Sequence, residues 1–79
     1  MAHCVDGEKI RKLRIKKGLS QNMLGKSVYV SQEMIAFIEN NKRVPSIATL
    51  SNISEELGVR ISELLIEETT SVDILKGAV

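Results

Sequence analysis

Apolar residues recur along this chain at intervals of three and four, the spacing that lines one face of an α-helix. The pattern appears in five short segments, and no alternating run typical of a β-strand separates them. The inward positions are Ile10, Leu13, Leu24, Val28, Ile35, Ile38, Ile47, Leu50, Ile53, Leu57, Ile61, Leu64 and Leu65. Because helices this short are unstable alone in water, the sequence predicts an all-α fold, a compact five-helix bundle.

Residues that cap helices bound most of these segments. A side-chain oxygen that precedes a helix can accept hydrogen bonds from its first backbone N–H groups. The residues at those positions are Asp6, Ser20, Ser31 and Ser46. Gly18 and Gly58 follow the first and fourth segments, where a left-handed residue commonly ends a helix. Arg60 precedes the fifth segment and supplies no such oxygen, so we expect that helix to be poorly capped.

These boundaries divide the chain into three parts. Residues 1–6 are a short N-terminal arm, residues 7–67 are one domain, and residues 68–79 are a C-terminal tail. Three interpretations of the tail remain open: a frayed end, a sixth helical turn, or a dimerisation or partner-binding segment formed by the apolar residues that follow its polar start.

The composition excludes several classes of protein. Cys4 and His3 are the only cysteine and histidine, too few for an internal disulfide, a structural zinc site or a histidine-based catalytic set in the core. We therefore expect no enzyme activity, no metal and no cofactor. No apolar run approaches the length of a membrane span, and the first residues lack a signal-peptide pattern. The sequence thus predicts a cytoplasmic protein without membrane contact.

Charge is distributed unevenly between the two halves of the chain. The net charge is +1, but residues 1–45 carry +5 and residues 46–79 carry −4. Two interpretations remain open at this point: one face binds a polyanion, or the basic helices simply present a solvated surface.

The stretch from Ser20 to Ile38 contains two short predicted helices separated by a brief turn. Their apolar residues allow them to pack on each other and on the first helix. This is the layout of the helix-turn-helix, whose second helix enters the DNA major groove.

Short motifs extend this layout over most of the chain. They are Gly7–Arg14, Lys17–Gln21, Val30–Gln32, Ile35, Ile38–Ser46, Thr49–Leu50, Glu56–Val59 and Glu63–Leu65. In this order and spacing they resemble the Cro/phage-repressor-like (Xre-type) helix-turn-helix domains, and the resemblance covers residues 7–65. It implies a lambda-repressor-like fold that binds double-stranded DNA, usually as a homodimer.

Candidate base-reading residues lie on the third predicted helix. Gln32 can pair with adenine N6 and N7, and Glu33 can accept a hydrogen bond from cytosine N4 or exclude other bases. Phe37 can pack on a thymine methyl group. The alternatives are an ordinary polar first turn for Gln32 and Glu33, and a place in the core for Phe37.

Candidate phosphate contacts flank the same helix. Gln21 begins the second helix, where its amide and free backbone N–H groups can hold a phosphate. Ser31, before the third helix, is assigned the same role. The resemblance adds Asn40, Lys42 and Arg43, which follow that helix. The alternative for these residues is a solvated surface at the helix ends.

Other residues have predicted structural roles. Arg14 matches a basic position that the family often uses for an internal salt bridge, and Glu39 is its expected partner. Tyr29 stands in the turn where the family usually has Gly, so we expect strain of about 1 kcal/mol or more if its φ is positive. Gly25 stands where a small residue allows the two helices to approach.

One apolar residue does not fit the inward pattern. Ile15 lies on a face of the first helix that should be polar. With Ile66 and the tail residues Val72, Ile74 and Leu75, it is a candidate dimer patch, although single apolar residues are also common on surfaces.

The leading functional hypothesis is a sequence-specific DNA-binding transcriptional regulator, a repressor that binds an operator as a homodimer. A second hypothesis is an antitoxin with the same fold, whose tail binds a toxin protein. A third is a protein-interaction module that has lost DNA binding. Salt-dependent affinity for DNA would separate the third hypothesis from the first two.

Overall fold

Four α-helices and one 3-10 turn make up the fold in a computed structural model, which describes residues 5–66. They are α1 (Gly7–Lys16), α2 (Gln21–Ser27), α3 (Gln32–Glu39), α4 (Ile47–Leu57) and the 3-10 turn Ile61–Leu64. The all-α prediction is confirmed. The predicted tail, residues 68–79, and residues 1–4 of the predicted arm lie outside the described residues.

The predicted fifth helix is a single 3-10 turn rather than an α-helix. Arg60 precedes it and provides no acceptor for its free N–H groups. The Glu63 side chain instead accepts a hydrogen bond from the backbone N–H of Arg60, at 3.4 Å. A turn so short and so weakly capped cannot propagate into an α-helix.

The predicted side-chain caps are all confirmed at the N-termini of the four α-helices. In each case the side-chain oxygen accepts a hydrogen bond from the backbone N–H three residues later, at 3.0–3.2 Å. The capping residues are Asp6, Ser20, Ser31 and Ser46.

The C-termini of the four α-helices also end in one common way. A residue with positive φ follows each helix: Gly18, Tyr29, Asn41 and Gly58. The next residue then donates its N–H to the carbonyl five positions back, as Leu19 does to Arg14 at 3.0 Å. This pair of features is the Schellman motif, which satisfies carbonyls left free at a helix end.

Nine aliphatic side chains form the core, and all were predicted to face inward. They are Ile10, Leu24, Val28, Ile35, Ile38, Leu50, Ile53, Leu57 and Leu64. The inward predictions for Ile47 and Leu65 are wrong, since their side chains are 76% and 37% exposed. Ile47 is the first residue of α4 and extends past the core, and Leu65 follows the 3-10 turn in extended backbone.

The start of α1 packs closely against the end of α3. A Cβ at Gly7 would collide with the carbonyl oxygen of Ile38, so only glycine permits this approach. The Gly7 N–H donates to Oδ1 of Asn41 at 3.0 Å. Just before it, Asp6 donates its backbone N–H to the carbonyl of Leu64 at 2.8 Å. These contacts fix α1 and the end of the domain relative to α3.

A buried ion pair joins α1 to α3, as predicted. Nε of Arg14 donates to Oε2 of Glu39 at 2.6 Å, and Nη2 donates to Oε1 at 3.1 Å. The two side chains are only 10% and 1% exposed. Nη1 of Arg14 donates to the carbonyl of Leu19 at 2.8 Å, which ties the turn after α1 to the same pair.

Candidate nucleic-acid interface

Helices α2 and α3 form a rigid pair through their buried faces. Leu24 and Val28 of α2 belong to the same core as Ile35 and Ile38 of α3, and all four side chains are at most 1% exposed. Gly25 brings the helices close, since a Cβ there would lie 2.8 Å from the carbonyl oxygen of Val30. The pair therefore presents α3 outward on a fixed support, the arrangement of a helix-turn-helix.

The outer face of α3 carries the three residues predicted to read bases. Gln32 and Glu33 are exposed in its first turn, and Phe37 is 45% exposed one turn later. The core position considered for Phe37 is thus excluded, because Ile35 and Ile38 occupy the inner face. This face offers an amide, a carboxylate and an apolar ring along one helix.

The residues after α3 are held by its C-terminal motif. The backbone N–H of Lys42 donates to the carbonyl of Phe37 at 2.8 Å, and that of Arg43 donates to the same carbonyl at 3.3 Å. The side chains of Asn40, Lys42 and Arg43 are exposed. The backbone that carries two cations and an amide is therefore held at the C-terminal end of α3.

Ser31 and Gln21 have intramolecular partners in addition to their predicted role. Ser31 caps α3, its Oγ accepting from Met34 N–H at 3.0 Å. Gln21 is half-buried, and its Nε2 donates to Oε1 of Glu39 at 3.1 Å. The sequence did not predict the hydrogen bond between Gln21 and Glu39, because no local pattern relates the start of α2 to the end of α3. An amide donates two hydrogens, so Gln21 retains a second N–H.

The strained turn predicted at Tyr29 is confirmed. Tyr29 has φ of 65° and joins α2 to α3 in the left-handed region. Its side chain is 85% exposed. The turn keeps the hydrogen bonds of a glycine-terminated helix, with Val30 N–H donating to the Gly25 carbonyl at 2.9 Å. The backbone geometry therefore does not depend on the tyrosine side chain.

Residues 5–66 were also compared with the patterns of metal sites and membrane-spanning helices. No group of three potential metal-ligating side chains occurs within residues 5–66. None of the helices in that range is long and apolar enough to cross a membrane. His3 and Cys4 lie outside the described residues.

Comparison with known proteins identifies the class to which this bundle belongs. The profile of the helix-turn-helix family matches residues 10–64. The chain belongs to this family, and its relatives place it in the Cro/phage-repressor-like branch predicted from the motifs.

Two curated relatives share the domain but are longer proteins. The immunity repressor protein of Bacillus phage phi105 is 32% identical over 63 residues, which cover 80% of this chain and 44% of the phage protein. The HTH-type transcriptional activator BcrR of Enterococcus faecalis is 40% identical over 58 residues, 73% of this chain and 28% of BcrR. The chain thus spans less than half the length of either relative.

A solved structure agrees with the fold. The P22 c2 repressor, crystallised with a synthetic operator, superimposes with a TM-score of 0.73 at 36% identity. The match covers 75% of this chain and 89% of the repressor chain. The lambda-repressor-like fold is therefore confirmed.

Proposed function

We propose that this chain is a sequence-specific DNA-binding transcriptional regulator that represses from an operator. The observation that carries the proposal is the outer face of α3, where Gln32, Glu33 and Phe37 are exposed on a helix anchored by its opposite face. With α3 in the major groove, Gln32 pairs with an adenine edge, Glu33 accepts from a cytosine amine and Phe37 packs on a thymine methyl group.

Phosphate contacts on both sides of α3 fix its register in the groove. Ser31 holds a phosphate near the start of α3, whereas Gln21, Asn40, Lys42 and Arg43 hold phosphates near its end, where the Gln21 amide bonds Glu39. The bond from Gln21 to Glu39 supports this role, because it fixes the amide while leaving its second N–H for a phosphate oxygen.

The proposed regulator is a cytoplasmic homodimer; the names of two relatives support repression, and exposed apolar residues support the dimer. The phage phi105 relative is an immunity repressor, and the P22 relative is a repressor crystallised with an operator. Two copies would bind half-sites about one helical turn apart. Ile15 and Ile66, the described members of the candidate dimer patch, are 54% and 43% exposed. A toxin partner for the tail stays a prediction, since residues 68–79 lie outside the described range.

Selection of duplexes from a random DNA pool yields the preferred site, and fluorescence anisotropy on that site then tests the proposal. Wild-type protein should prefer the selected duplex to a scrambled one. Gln32→Ala should reduce that preference by about fivefold or more, because a bidentate pair with adenine contributes roughly 1–3 kcal/mol of discrimination. Ser51→Ala, an exposed polar change on α4, is the matched control and should keep it.

Two results would contradict the proposal. Failure of the wild type to bind any duplex at low salt would leave a protein-interaction module as the better description. Equal affinity for selected and scrambled duplexes would remove sequence-specific regulation while leaving DNA binding.

A further inference from the structure

Tyr29 is an unexplained residue in the turn between α2 and α3. Of the four residues with positive φ that end the helices, two are glycine and one is asparagine, which tolerate this conformation. Tyr29 is a bulky aromatic residue in the same conformation, with φ of 65°. An outlier of this kind persists where something other than local backbone preference favours it.

Packing within the domain does not explain why a tyrosine occupies position 29. The side chain is 85% exposed, the largest exposure among the big apolar and aromatic residues described. The backbone bonds of the turn, from Val30 to Gly25 and from Tyr29 to Lys26, involve no tyrosine side-chain atom. Glycine would therefore form the same turn with less strain, and the ring contributes little to the stability of the domain.

The position of the turn indicates what the ring can contact. In a helix-turn-helix the first helix crosses the DNA backbone while the second lies in the major groove. The residue that joins α2 to α3 therefore stands at the edge of the groove, beside the phosphates. A tyrosine hydroxyl is one of the groups that donate hydrogen bonds to phosphate oxygens. Lys26, exposed three residues earlier, adds positive charge at the same end of α2.

We propose that Tyr29 is an additional DNA-backbone contact, whose hydroxyl donates to a phosphate oxygen at the groove edge. The inference rests on the proposed function of α3 and extends it to a residue outside the expected phosphate contacts. A phosphate contact strengthens binding to every sequence alike. Because tyrosine is neutral, it displaces no counterion, and the salt dependence of binding stays the same without it.

Two substitutions separate the hydroxyl from the backbone strain. Tyr29→Phe keeps the ring and the strain but removes the hydroxyl, whereas Tyr29→Gly removes the ring and relieves the strain. We expect Tyr29→Gly to raise the melting temperature and Tyr29→Phe to leave it unchanged. Both variants should bind the selected and the scrambled duplex roughly tenfold more weakly than wild type, since a hydrogen bond to a charged group is lost.

The comparison variant is Lys26→Ala, which removes a charge at the same end of α2. Anisotropy titrations between about 50 and 200 mM salt give the slope of log affinity against log salt. Removal of a lysine that neutralises a phosphate reduces this slope by about 0.9, whereas both Tyr29 variants should keep the wild-type slope.

Unchanged DNA affinity in both Tyr29 variants would overturn the inference while the function of α3 stands. A loss in Tyr29→Gly alone would overturn the hydroxyl contact, because the phenylalanine ring would suffice. If wild-type protein binds neither duplex, the proposed function fails, and the inference fails with it.

Discussion

At the scale of single residues, the buried pair of Arg14 and Glu39 helps to hold α3 against α1. Burying two charges costs free energy that their attraction offsets only when the remaining polar atoms are also bonded. Here Leu19 accepts from the arginine and Gln21 donates to the glutamate. No buried side-chain nitrogen or oxygen within residues 5–66 lacks a partner. The network therefore joins α1, α2 and α3 without an unsatisfied group.

Removal of one member of this pair should be strongly destabilising. Arg14→Met leaves the Glu39 carboxylate buried without its cation, which should lower the free energy of unfolding by about 3–5 kcal/mol. Arg11→Met, which replaces an exposed arginine on the same helix, is the control and should change stability little. Urea unfolding followed by circular dichroism measures both, and equal effects of the two substitutions would contradict a structural role for Arg14.

At the scale of helices, the serine caps allow a structural role to be separated from a binding role. Ser31 and Ser46 make the same capping contact, each Oγ accepting from the N–H three residues later at 3.0 and 3.1 Å, and Ser46 Oγ also donates to Oγ1 of Thr49 at 3.1 Å. Ser31 precedes α3, the helix proposed to read bases, whereas Ser46 precedes α4. A hydroxyl that accepts from the backbone can still donate its own hydrogen to a phosphate.

Ser31→Ala and Ser46→Ala should therefore have similar effects on stability and different effects on DNA binding. Each loses a cap, so each should lower the free energy of unfolding by about 1 kcal/mol. Only Ser31→Ala should also weaken binding to the selected duplex, several-fold, because it removes a phosphate contact. Thermal melts and anisotropy on the same samples test this, and equal affinities of the two variants would exclude a phosphate role for Ser31.

The same helices mark how far local sequence could predict the fold. The caps and most inward aliphatic residues were predictable because each depends on neighbours within one or two turns, whereas the expectation at Tyr29 came from the family resemblance. The bond from Gln21 to Glu39 and the close approach of Gly7 to Ile38 were not, since they depend on how distant helices meet. Ile47 was predicted inward because spacing identifies a helical face but not where the core ends.

At the scale of the whole molecule, the uneven charge becomes an argument about binding. The chain as a whole carries only +1, with the excess of bases confined to residues 1–45. That stretch contains α1, α2 and α3, and it ends just beyond Lys42 and Arg43. A small net charge is thus compatible with affinity for a polyanion, provided that the cations near α3 supply that affinity. Contacts between these few cations and particular phosphates differ from a general electrostatic attraction of the whole basic half to DNA.

Single lysine substitutions should reveal that distinction through salt dependence. Lys42→Ala removes a proposed phosphate contact and should reduce the slope of log affinity against log salt by about 0.9, equally for selected and scrambled duplexes. Lys9→Ala removes the same charge from α1, where Lys9 lines a surface pocket with Asp6 and Glu63, and should leave the slope near the wild-type value. Anisotropy titrations between about 50 and 200 mM salt measure both slopes. Equal reductions in the two variants would mean that the protein attracts DNA through its overall basic half, and that Lys42 holds no particular phosphate.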